Sequence, residues 1–287
     1  MNINEYLAEK KLLVDRALRK YFSNNNAFFE VMYYSLDRGK RVRPILAIAS
    51  YEAGGGKNIE EIIGIACGLE LIHTYSLIHD DLPAMDNDDF RRGKESAHKK
   101  FGEALAVLSG DGLFAYAFEL FTESQNYIAQ RLRIIKEVSE TVGPKGIVYG
   151  QVLDIQKYSE PNPKALRKIH LNKTAKFIAL SIKVGAIMAN VPEEQIDILQ
   201  TAGLYLGILF QYTDDILDVV GKKEKLGKTP QKDLLLGKLT APRVYGLEGA
   251  KFRARKYATL AKNGFSQLGK NFDIFNQITD FVLHRTF

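Results

Sequence analysis

Two groups of aspartates rise out of apolar, helix-patterned sequence, and any fold this chain adopts must give them a polar interior. The first reads His79-Asp80-Asp81-Leu82-Pro83-Ala84-Met85-Asp86-Asn87-Asp88-Asp89-Phe90-Arg91-Arg92-Gly93-Lys94. The second reads Gln211-Tyr212-Thr213-Asp214-Asp215-Ile216-Leu217-Asp218, with Lys225, Lys228 and Lys232 downstream. Unpaired negative charge in apolar surroundings is costly and calls for a metal or a cation. Carboxylate oxygens without supporting Cys or His spacing suit Mg2+, whose sites are commonly completed by substrate phosphates. Acid followed by base, twice over, is chemistry for holding a diphosphate.

The surrounding pattern is helical. Ile62, Ile65, Ala66, Leu69, Ile72 and His73 recur at spacings of three and four, as do Leu204, Gly207, Ile208, Gln211, Asp215 and Asp218. The same reading predicts helices over 3–21, 26–37, 41–53, 103–123, 129–142, 145–157, 164–189, 193–220, 235–247 and 250–266. Breaks fall at Gly54-Gly55-Gly56, Pro83, Gly143-Pro144, Pro161-Asn162-Pro163, Pro192 and Pro230. Strand alternation bounded by hairpin dipeptides is absent, and Asp111-Gly112 lies between helical runs, so no hairpin is expected. The expectation is all-α, with residues 1–287 forming a single helical domain.

Composition removes several functions. The net charge of +6 comes from Lys and Arg spread along the chain, which argues against a nucleic-acid partner and suits a small anionic substrate. The lone Cys67 excludes an internal disulfide framework and fits a reducing, cytoplasmic setting. The sequence from Met1 to Tyr6 lacks a signal-peptide pattern, and apolar stretches are interrupted before about 18 residues, so no membrane insertion is expected.

In the second acidic group, Asp214 and Asp218 share a helix face at about 100° per residue, with Asp215 one direction away. All three reach one side of the helix. In the first group Asp86 stands six residues after Asp80 and would point away on an unbroken helix. Pro83 disfavours helix at Leu82, so the chain is expected to break after Asp81 and return Asp86 on a loop. Asp88 and Asp89 read as exposed acids capping the next helix.

With these residues in view, the chain resembles the trans-isoprenyl diphosphate synthases (polyprenyl synthases) of the bacterial farnesyl diphosphate synthase type, from about residue 35 onward. Gly39-Lys40-Arg41-Val42-Arg43-Pro44 is similar to the family's isopentenyl-diphosphate motif, carried by Lys40 and Arg43. His73 matches a further contact to that diphosphate. Asp80, Asp81 and Asp86 match the first aspartate-rich motif, in the form with a two-residue insertion, and Asp214, Asp215 and Asp218 match the second. Arg91 corresponds to an allylic-diphosphate contact and Arg92 to an isopentenyl one. Gln151 and Asp154 match Gly-Gln-x-x-Asp, while Lys173, Thr174, Gln211, Lys228 and Lys238 complete the allylic side.

The resemblance implies a helical bundle around a deep central cavity and about three Mg2+ ions between the acidic motifs. It implies isopentenyl and allylic diphosphates as substrates, and a homodimer. Thr174 and the Gln211 carbonyl oxygen would stabilise an allylic cation. Tyr75, with Ser76 beside it, is expected to limit product length, and with the Pro83-Ala84 insertion resembles the fifteen-carbon type. Geranyl and geranylgeranyl producers are alternatives within the family. Two positions depart from its pattern: Arg38-Gly39 replaces Gly-Gly, and Gly93-Lys94-Glu95-Ser96-Ala97-His98 lacks the common Pro and Asn. A terpene cyclase would lack the Lys40/Arg43 set, and a non-catalytic homologue would tolerate loss of an acidic motif; neither loss is seen.

Overall fold

The computed structural model describes residues 2–23, 26–123, 126–156, 158–220 and 237–284. Helices dominate: α1 (Ile3–Phe22), α2 (Ala27–Leu36), α3 (Val42–Ala53), α4 (Ile63–Asp80), α5 (Ala97–Phe101), α6 (Glu103–Thr122) and α7 (Ile128–Val142). They continue as α8 (Ile147–Asp154), α9 (Pro163–Ile169), α10 (Lys176–Met188), α11 (Glu193–Val220), α12 (Ala241–Phe265) and α13 (Ile274–His284). Short 3-10 turns join some of them.

Local sequence explains many boundaries. Asn2 caps α1 by accepting from Asn4 N, and Glu5 answers with a bond to the Asn2 amide. Asn162 caps α9 by accepting from Ala165 N at 3.0 Å, with Pro163 at the first helical position, where its missing N–H costs nothing. Gly246 adopts φ 69° and kinks α12, so the two predicted segments 235–247 and 250–266 form one bent helix beginning at Ala241.

The core is built on α4 and α10, whose faces are buried nearly all round. α4 packs against α3 and α6, α10 lies against α3 and α11, and α12 runs along α11. Phe121 and Phe177 are among the largest fully enclosed side chains. Truncating such an aromatic costs about 3–5 kcal/mol. Cys67 is buried and free, a packing residue.

Several elements differ from the sequence expectation. The predicted helix over 164–189 is interrupted by a π-helical turn at His170–Ala175. Phe90–Arg91 and Lys94–Glu95 form a small antiparallel hairpin, here β1 and β2, where none was expected. Its turn residues, Arg92 (φ 55°) and Gly93 (φ 75°), both have positive φ, the geometry that matches the twist of a two-residue hairpin. α5 and α13 were also not anticipated. Finally, α6 is long and apolar enough to cross a membrane. Its buried side, including Ala106, Leu113, Ala117 and Phe121, packs on α4, while Leu105, Val107 and Leu108 face outward.

Candidate active site

Residues from α3, α4, α8, the π turn, α11 and the segment leading into α12 line a cavity of about 500 Å3. Two close approaches set its shape. A Cβ on Gly150 of α8 would lie 2.3 Å from the Lys173 nitrogen, and one on Gly207 of α11 would lie 2.5 Å from the Ala175 Cα. Only glycine admits the π turn this deeply between those helices. The turn then presents Lys173 and Thr174 to the cavity.

The first acidic group folds as the break after Asp81 predicts. α4 ends at Asp80, and the following loop turns back so that the Asp86 amide donates to the Asp80 carbonyl at 2.8 Å. Asp80 and Asp86 both reach the cavity. Asp81 does not follow them. Asp81 is 2% exposed and its carboxylate accepts twice from Arg91 Nε at 3.1 Å, because residues one apart on a helix point in different directions. Asp88 also pairs with Arg91, at 3.4 Å, and exposed Asp89 pairs with Lys99 at 2.9 Å. Neither caps the next helix, whose N-cap is Ser96.

Lysines interleave the cavity carboxylates. Lys173 Nζ lies 2.7 Å from Asp154 and 3.6 Å from Asp80, and Lys238 Nζ lies 2.7 Å from Asp86 and 3.4 Å from Asp154. Burial pushes the Asp80 carboxyl up, against the pull of Lys173. Burial also raises Asp154, but Lys173 and Lys238 outweigh it and hold that carboxyl below its ordinary value. Lys173 is held above its ordinary value because Asp80, Asp154 and Asp86 outweigh its own desolvation.

On α11, Asp214, Asp215 and Asp218 all line the cavity. Thr174 donates its hydroxyl proton to Gln211 Oε1 at 2.7 Å, bringing together the two groups expected to face an allylic cation. Lys228 falls outside the described residues.

A second wall is formed by Lys40, Arg43, His73 and Arg92. Arg38 takes φ 59° and Arg41 φ 58°, so Arg38 holds a left-handed turn in place of the expected glycine. Arg43 is buried over the Phe177 ring at 5.0 Å, and desolvation pushes its pKa down to about 10. His73 is held well below its ordinary range by burial and by Arg43, Arg92, Arg91 and Arg41, so it is neutral at physiological pH. Arg92, at the hairpin turn, donates to the Ser35 carbonyl at 2.9 Å and lies 3.7 Å from Glu70. Glu70, 1% exposed, also accepts from Arg41 Nη1 at 2.9 Å. Sequence reading did not single out Glu70. A lone acid within Gly64-Ile65-Ala66-Cys67-Gly68-Leu69-Glu70-Leu71-Ile72 was the available signal.

Tyr75 is not among the described residues lining this cavity, whereas Ser76 is. Tyr75 is half-buried and packs edge-on against Phe114 at 5.0 Å and His79 at 5.4 Å, between α4 and α6.

The polyprenyl synthetase family model matches residues 25–278. Farnesyl diphosphate synthase of Bacillus subtilis (strain 168) is 40% identical over 291 residues, covering 99% of this chain and 98% of the relative. A geranylgeranyl diphosphate synthase of Cyanophora paradoxa is 38% identical over 291 residues, covering 99% and 97%, so overall similarity does not separate the two product classes. The crystal structure of a geranyltransferase from Helicobacter pylori, complexed with magnesium and isoprenyl diphosphate, superposes with a TM-score of 0.84 at 32% identity, covering 97% of this chain and 96% of that one. On this similarity and the cavity's two charged walls, the chain belongs to the polyprenyl synthetase family.

Proposed function

We propose that this chain is a Mg2+-dependent trans-prenyltransferase that condenses isopentenyl diphosphate head-to-tail with dimethylallyl or geranyl diphosphate, yielding farnesyl diphosphate and pyrophosphate. The observation that carries this reading is the division of one cavity into two anion-binding walls. Lys173 and Lys238 stand among carboxylates on one side, and Lys40, Arg43, His73 and Arg92 stand on the other.

The acidic wall fits Mg2+. Its donors are hard carboxylate oxygens, and burial of Asp80 against a raised pKa marks charge that a cation would relieve. Among the described residues no three Asp, Glu, His or Cys side chains converge into a ready-made cage. Mg2+ does not require one, because it takes one or two carboxylates and completes its shell with water and substrate phosphates. Asp80 and Asp86 on one side and Asp214 and Asp218 on the other would hold it. Bound there, the metal supplies charge neutralisation for the diphosphate leaving group.

The chain's own groups do the rest. Lys173 and Lys238 exchange carboxylate partners for allylic diphosphate oxygens, aided by Arg91. As the allylic C–O bond breaks, the electron pair leaves with pyrophosphate and the Thr174 and Gln211 oxygens face the developing cation. Lys40, Arg43, neutral His73 and Arg92 hold isopentenyl diphosphate so that its double bond forms the new C–C bond, a contribution of orientation. The departing pyrophosphate accepts the proton then lost. Tyr75, next to the cavity-lining Ser76 and packed on Phe114, stops the growing chain at fifteen carbons. A second copy of the chain covers the outward apolar residues Leu105 and Leu108 of α6, and the dimer works in the cytoplasm.

The test is product analysis with isopentenyl diphosphate and each allylic primer. A fifteen-carbon diphosphate supports the proposal, and failure to condense any pair refutes it.

A further inference from the structure

Asp215, the middle of the three cavity-lining aspartates of α11, is tied to the π turn and to the segment entering α12. Asp215 is 5% exposed and is met by polar groups from three parts of the chain, two of them hydrogen-bond donors. Gln211 Nε2 donates to Oδ1 at 2.9 Å, the Ala241 amide donates to Oδ2 at 2.7 Å, and His170 Nε2 lies 3.2 Å from Oδ2. His170 is itself 3% exposed and belongs to the π turn.

These contacts form two parallel rungs. His170 and Thr174 are four apart on the π turn, Asp215 and Gln211 are four apart on α11, and the pairs meet as His170–Asp215 and Thr174–Gln211. The close approach at Gly207 brings the two elements within reach. A carboxylate only accepts, so it can face only the NH2 end of the Gln211 amide. The carbonyl end is thereby turned to Thr174 and the cavity. Left to itself, that amide could take either orientation, and its reversal would put a donor where an electron-rich oxygen is needed.

We infer that Asp215, held by His170 and the Ala241 amide, is a positioning residue that fixes the orientation of the Gln211 carbonyl oxygen toward the reacting allylic carbon, and is not a metal ligand. The inference rests on the prenyl-transfer reading. It extends it by adding His170, and by separating Asp215 from Asp214 and Asp218.

The experiment compares wild type, Asp215→Asn, Gln211→Leu, the double variant and Asp214→Ala. Two quantities are read: steady-state condensation, and Mn2+ binding in the presence of inorganic pyrophosphate followed by the free-ion EPR signal. Asp215→Asn is isosteric and offers Gln211 a donor, so the amide reverses. Its kcat is expected to fall about a hundredfold. Both KM values and the Mn2+ affinity should stay within about twofold of wild type. Because Asp215 acts through Gln211, the double variant should be no slower than Gln211→Leu alone. Mn2+ affinity lost in Asp215→Asn to the extent seen in Asp214→Ala overturns the inference, as does a double variant slowed by the product of the single effects. Should Asp215→Asn fail to fold, His170→Gln takes its place. A kcat lowered about three- to tenfold with unchanged Mn2+ binding supports the inference, and wild-type kcat or weakened Mn2+ binding overturns it. A wild-type enzyme that binds Mn2+ and pyrophosphate yet condenses nothing refutes the prenyl-transfer reading instead.

Discussion

Lys238 Nζ stands 2.7 Å from the Asp86 carboxylate, joining the segment before α12 to the loop after α4. The same ammonium lies 3.4 Å from Asp154. It neutralises carboxylates when no substrate is bound and is poised to hand its charge to a diphosphate. Lys238→Met keeps the aliphatic stem and removes the charge. A charge-assisted contact of this kind carries about 1.5–3 kcal/mol. The KM for the allylic diphosphate should therefore rise tenfold or more, by about that energy, while the KM for isopentenyl diphosphate stays near wild type. Equal rises in both would mean the two walls do not act separately.

Asp80 ties stability to function with a definite sign. Burial raises its pKa in the fold, so the folded chain binds more protons than the unfolded one between the ordinary value of 3.8 and the raised one. Stability accordingly falls as pH rises through that window, and the penalty is fully present only above the raised value. Asp80→Asn should raise the melting temperature of the ligand-free chain at neutral pH, and lower kcat about a hundred- to a thousandfold. It should also abolish the stabilisation that Mg2+ with pyrophosphate gives to wild type. A variant that melts lower and still responds to Mg2+ contradicts this.

The opposite wall titrates in the opposite sense. His73 is held neutral by burial and four arginines. The unfolded chain takes up a proton near about pH 6.5, so it binds more protons than the fold in acid and stability drops as pH falls below that value. His73→Gln removes the titration. Melting temperatures measured between neutral and mildly acid pH should fall more steeply for wild type than for the variant; parallel slopes would show that His73 is not held neutral.

Arg43 lies with Lys40, His73 and Arg92 on one wall, desolvated over Phe177 and feeling the charges of Glu70 and then Asp214. Arg43→Ala should weaken isopentenyl diphosphate by about 2–4 kcal/mol and leave the allylic substrate little changed, as read from the two KM values. Matching changes would remove the assignment of separate sites.

Tyr75 packs on Phe114 and His79 between α4 and α6, one turn before Asp80 along α4. Tyr75→Ala should let the prenyl chain pass and shift products to twenty carbons or more, at some loss of stability from the vacated volume. Products unchanged in mass would place the stop elsewhere.

Much of the site was legible because its chemistry is local. The acidic runs, the break imposed by Pro83 and the helical spacing of Gln211, Asp214 and Asp218 are all short-range patterns. α13 went unpredicted although Phe275, Ile278, Thr279 and Val282, buried in the fold, stand at helical spacing. The π turn was not, because it depends on glycines at positions 150 and 207, far away in sequence, letting it approach two helices. The hairpin carrying Arg91 and Arg92 is too short to show alternation. The diversion of Asp81 to Arg91 and of Asp215 to His170 is tertiary, and equal aspartates in a motif look alike until their neighbours are known.

The central claim is head-to-tail prenyl transfer with a metal-held diphosphate, and one measurement addresses it most directly. Isopentenyl diphosphate and dimethylallyl diphosphate are incubated with the chain, with Mg2+ and after chelation, and products are weighed by mass spectrometry. The account predicts farnesyl diphosphate with pyrophosphate released in Mg2+, and no condensation after chelation. Full condensation without a divalent ion, or cyclic hydrocarbon in place of a linear diphosphate, would contradict it.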